Sequence, residues 1–155
     1  MALKPHYNVT SYEIGFFLNE TAERGLILCS ATGTPGSGSA MDSFNQLASV
    51  AVNPSGRYPL GMLWEDFVNQ DLTEQPLNRF KYVAQMGNKA TIITQGTMLT
   101  DRVVAASTVI PGQPAYLAGT GLISATQAVG APQIGRFLSR PDSDGYAKIS
   151  VNCIK

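Results

Sequence analysis

The chain is short of charge. Lys and Arg number 11, Asp and Glu 11, and together they make up 14% of 155 residues, against about 25% in soluble domains. Something other than charge therefore covers part of the surface, and contact with a partner is one candidate. Zero net charge without any Lys/Arg cluster also lacks the electrostatic footprint of a protein that neutralises many phosphates, so nucleic acid is not expected as a ligand. Cysteine is nearly absent. Cys29 and Cys153 are too few for a disulfide scaffold and read as thiols buried like small apolar residues. No apolar run reaches the roughly 18 to 20 residues of a membrane span, and Met1 to Asn8 lacks the basic-then-apolar layout of a signal peptide. The expectation is synthesis in a cytosol-like compartment, with no membrane contact.

Histidine is scarcer still. The sole imidazole, His6, sits beside Pro5 in a segment without helical period, which leaves a Ser/His/Asp triad, a Cys-His pair or a zinc site without a well-held base or ligand. A hydrolase using Ser139 or Asp142 with His6 is therefore the weakest reading, and the chain is read as a non-enzyme without cofactor or metal. Gly33, Gly36 and Gly38 lack the Lys-Ser or Lys-Thr of a phosphate loop. Asp142-Ser143-Asp144-Gly145 opens like a calcium loop, but Cys153 stands where the bidentate Glu belongs, so the stretch reads as a hairpin turn. Glu65, Asp66, Asp71 and Glu74 read as a solvated rim, and Trp64, Phe67, Phe80 and Tyr82 as core or subunit interface.

What the chain has is punctuation. Its 15 Gly and 9 Pro fall between short apolar stretches, the spacing of strands and turns. Strands are expected at 26–31, 47–52, 115–118, 122–124, 134–139 and 146–154. A reversal is expected at Asn53-Pro54-Ser55-Gly56, and a hairpin between Phe80–Gln85 and Ala90–Gln95. Within Leu60 to Leu72, residues 61–68 fit a helix turn or a strand about equally. The last strand alternates, with Ala147, Ile149, Val151 and Cys153 on one face and Lys148, Ser150 and Asn152 on the other. The reading is an all-β fold: a compact antiparallel β-barrel or sandwich at 14–155 preceded by an extended N-terminal arm at 1–13. Whether 14–58 forms a separate subdomain stays open.

Three stretches resemble the head decoration, or cement, proteins of bacteriophages. They are Gly61-Met62-Leu63-Trp64-Glu65-Asp66-Phe67-Val68, then Asn78 to Thr100 with Thr94-Gln95-Gly96-Thr97, and finally Gly112-Gln113-Pro114-Ala115-Tyr116-Leu117 through Gly135-Arg136-Phe137-Leu138-Ser139 to Asp142-Ser143-Asp144-Gly145-Tyr146. The resemblance spans residues 60–154 and leaves 14–58 unmatched. It implies a homotrimeric β-barrel on the outside of a capsid, its arm tucked against the major capsid protein. Pro5, His6, Tyr7, Val9 and Tyr12 are then the arm residues that touch the shell, and deletion of residues 2–12 is expected to spare folding while abolishing capsid binding. The alternative is a β-barrel module of a tail or head fibre that binds a host surface glycan through Trp64, Tyr58 or Tyr82.

Overall fold

Short runs rich in Ile, Val, Leu and Thr, each stopped by Gly, Pro or Asn, become strands because such side chains pack well on a pleated surface and the stop residues prevent a helix from propagating. The computed structural model describes residues 8–18, 20–31, 46–68, 83–85, 89–104 and 108–153. They form β1 (Asn8–Glu13), β2 (Phe17–Leu18), β3 (Ile27–Ala31), β4 (Leu47–Val50), β5 (Pro59–Leu63), β6 (Asp66–Val68), β7 (Val83–Gln85), β8 (Ile92–Thr100), β9 (Val103–Val104), β10 (Pro114–Leu117), β11 (Ile123–Ser124), β12 (Gln133–Phe137) and β13 (Ala147–Asn152). Among the described residues there is no α-helix, so the fold is all-β, and the ambiguous stretch 61–68 supplies the end of β5 and all of β6, separated by Trp64 and Glu65.

Eleven of these strands form one sheet in the order β2-β4-β3-β5-β8-β13-β12-β10-β11-β9, with β1 pairing β8 off that path; β6 and β7 make a second, two-stranded sheet. Strand β8 joins the halves. Ile92 and Ile93 pair Leu63 and Met62 of β5, and Gln95 to Thr100 pair Asn152 to Ala147 of β13. Because β1 also pairs β8, from Ile92 to Thr97, β5 and β13 share one edge of β8 and β1 takes the other.

The pairing departs from the expected antiparallel scheme in three places: β2–β4, β9–β11 and β6–β7 run parallel. No pairing joins the terminal strands β2 and β9, so the sheet is open. The expected reversal at 53–56 occurs, with Asn53 Oδ1 accepting the Ser55 N–H at 3.0 Å, but it does not produce a β4–β5 hairpin. Strand β3 lies between them and pairs both. Among the described residues the hairpin expected across Met86-Gly87-Asn88-Lys89 is likewise not formed. Its second arm, β8, has its edges filled by β1, β5 and β13, and β7 pairs β6 instead. In both places partners distant in sequence have taken the position of the sequence neighbour. The C-terminal hairpin is as expected: β12 and β13 pair Gly135 with Val151 and Phe137 with Ile149.

The core lies on both sides of the sheet at its middle. Ile27, Cys29, Met62 and Ile93 belong to a large cluster with Ala115, Leu117, Ile123, Ile134, Phe137, Ile149 and Val151. Their sequence neighbours Leu28, Leu63 and Ile92 point the opposite way, into a second cluster with Leu18, Ala22, Ala48, Phe67 and Ala90. Strands buried on both faces read as unbroken apolar runs, which is why Ile27-Leu28-Cys29 and Ile92-Ile93 show no alternation. In β13 only one face is fully buried, and there Ala147, Ile149 and Val151 alternate with Lys148, Ser150 and Asn152 as expected.

Candidate interaction surface

The arm residues divide. Pro5, His6 and Tyr7 lie outside the described residues, whereas Val9 and Tyr12 lie on β1, opposite Gly96 and Ile93 of the same chain's β8. Val9 packs against the large core cluster, so this end of the arm belongs to the body rather than standing clear of it. Tyr12 remains 63% exposed. The ladder is irregular, with register shifts between Val9 and Ser11 and between Ser11 and Tyr12, and no residue of β1 is fully buried.

What β1 rests on explains its position. A Cβ on Gly96 would lie 2.7 Å from Asn8 O and 3.1 Å from Val9 Cα, so the backbone of β1 sits where any other residue's side chain would be. Gly96 stands opposite Val151, Val151 opposite Gly135 and Gly135 opposite Ala115, a row of small side chains crossing four strands. At Gly135 the approach is closer still, with Ser150 O 1.9 Å from the position of a Cβ. The sequence contains all these residues but not the row, because nothing in it states which strands are neighbours.

Between arm and body runs a groove of about 270 Å³ lined by Val9, Thr10, Tyr12, Trp64, Thr91 and Ile93. Trp64 is held by its backbone N–H, which donates to Thr91 O at 3.0 Å, and its ring lies partly buried against the core. Among the described residues no side-chain carboxylate, amide or guanidinium lines this groove, so this lining suits an apolar group better than a sugar, whose hydroxyls need several fixed polar partners. Of the other aromatic candidates, Tyr58 is 79% exposed and Tyr82 lies outside the described residues. Sequence reasoning had no means of placing Tyr12 beside Trp64.

Beyond the arm, Val52 and Val129 are 78% and 94% exposed. With Tyr58 they ride on two loops joined by a hydrogen bond from Gly56 N to Gly130 O. Ile14, Ile110 and Leu138 are each about half exposed.

The groups considered for chemistry are engaged elsewhere. Ser139 Oγ accepts the Lys148 N–H at 2.9 Å, and Asp142 Oδ1 accepts the N–H groups of Asp144 and Tyr146 at 3.0 and 2.8 Å, which closes the hairpin turn. Asp66 accepts the Arg24 N–H at 2.8 Å and faces its guanidinium, and Arg102 lies between Glu23 and Asp101. Asp71 and Glu74 lie outside the described residues. Among the described residues no group of three or more His, Cys, Asp or Glu is placed to hold a metal ion, and no helix is long and apolar enough to cross a membrane. Burial pushes the Cys29 thiol up to about 11 against the pull of Arg57, and burial together with Cys29 pushes Cys153 up to about 12. Both thiols are free. No protein-family model matches the chain, and no curated protein matches its sequence.

Proposed function

We propose that this chain is a virion structural protein that decorates and cements the outside of a bacteriophage capsid, bridging subunits of the major capsid protein as a homotrimer. The observation that carries the reading is the surface: Tyr12, Ile14, Val52, Tyr58, Val129 and Leu138 stand exposed on an all-β body with 22 charged side chains in 155 residues. Such a surface loses free energy in water and gains it under another protein. The resemblance of residues 60–154 to decoration proteins supports the same reading, and with it a body that wraps towards a barrel whose free sheet edges are covered in the assembly.

The mechanism is avidity. Each contact is modest, but linked protomers bind as a unit, and the second and third contacts form at an effective concentration on the order of millimolar. The test is sedimentation of intact phage heads with the purified chain. The expected result is co-sedimentation at a fixed, saturable ratio to the major shell subunit and heads that resist heat or chelation better when loaded. A chain that stays in the supernatant at every concentration overturns the proposal.

A further inference from the structure

We infer that β1 is an exchangeable strand: the seat on β8 that holds it takes the β1 of a second copy of this chain in the same register, so that copies are linked by mutual strand exchange. The inference does not depend on the capsid reading.

Four observations carry it. The seat demands a cover, because Ile93 and Met98 are wholly buried and the space above Gly96 is filled by β1 backbone. It reads backbone more than side chain, since the contact at Gly96 is to Asn8 O and Val9 Cα. The cover is attached along one edge only: β1 pairs no strand but β8 among the described residues, shifts register twice, has no fully buried residue, and leaves a groove between Tyr12 and Trp64. Finally, a short joint follows it. Glu13 Oε1 accepts the N–H groups of Ile14 and Gly15 at 3.1 and 2.8 Å, a local turn that opens at the loss of two exposed hydrogen bonds. Immediately beyond, Phe17 and Leu18 are buried and anchor the chain.

The occupant follows from the same facts. A second copy's β1 carries the same Asn8, Val9 and Tyr12, so exchange preserves every contact of the seat and alters only the joint. Intrachain and exchanged forms then differ little in contacts, and protein concentration sets their ratio. Opening the joint also carries the exposed Ile14 into the space between copies, where it gains cover.

Asn8 faces Thr97 across the ladder, which supplies the test. Chains carrying Asn8→Cys alone and Thr97→Cys alone are mixed, unfolded with reductant, refolded together at high protein concentration, oxidised and run on a non-reducing denaturing gel. The expected result is a two-chain band holding one copy of each variant, well above the yield from either variant refolded alone. A mixture without that excess overturns the proposal. Light scattering on the unmodified chain gives a second reading that needs no substitution: multimers that grow with concentration are expected, and a chain that stays single up to millimolar concentration overturns strand exchange as well.

Discussion

Single atoms decide much of this structure, and glycine shows it best. At Gly135 a methyl group would meet Ser150 O at 1.9 Å, and the obstacle is backbone, which cannot swing aside. Gly135→Ala is expected to cost about 3 kcal/mol or more in urea unfolding, at or above the top of the usual range for overpacking. Gly145 is the matched control: it has open space around it and a φ of +86, so Gly145→Ala carries only the left-handed penalty of about 1 to 2 kcal/mol. Equal losses at the two sites would refute the crowding account. The thiols make a prediction of a different kind. The native state holds the protons of Cys29 and Cys153 up to about 11 and about 12, above the ordinary value of 9.0, so above pH 9 the unfolded chain binds fewer protons than the folded one. Stability is fully present below pH 9 and falls as pH rises through 9 to 12. Unfolding midpoints measured from pH 7 to 11 check the sign, and Cys29→Ala should flatten the alkaline slope.

At the scale of the element, the β12–β13 hairpin is the unit most nearly specified by its own residues. Asp142 organises its turn. Its side chain accepts two N–H groups, its backbone N–H donates to Tyr146 O at 2.9 Å, its backbone C=O accepts the Gly145 N–H at 3.0 Å, and Gly145 takes the left-handed position. Asp142→Ala removes both side-chain bonds and is expected to cost about 2 kcal/mol, read from the denaturant midpoint. Asp142→Asn keeps an acceptor and should restore about half or more of that loss. On the strand itself, Ile149→Ala is expected to cost about 2 to 5 kcal/mol, because it empties a fully buried site paired with both Met98 and Phe137. Lys148→Ala on the opposite face should fall within about 0.5 kcal/mol.

For the whole molecule, the arm is the point where the tertiary structure changes the forecast. Read as a projection that contributes little to the body, residues 2–12 are dispensable for folding. With Val9 packed on the large core and β1 backbone filling the space above Gly96, their deletion bares the seat on β8. The truncated chain is therefore expected to melt at a lower temperature and to bind a hydrophobic dye, measured beside the full chain at equal concentration. Unchanged melting would show that β8 does not need its cover.

Local chemistry was sufficient for the all-β class and for the C-terminal hairpin with its alternating strand, because each depends on periodicity or turn residues within a few positions of one another. It was insufficient for the partners of β8, for β3 lying between β4 and β5, for the two-sided core, and for the groove that Tyr12 and Trp64 both line. Every strand edge offers the same N–H and C=O groups, so no residue names its partner in advance. The choice is made only when the whole chain settles which pairing buries Ile27, Ile92, Ile93 and Met98 together.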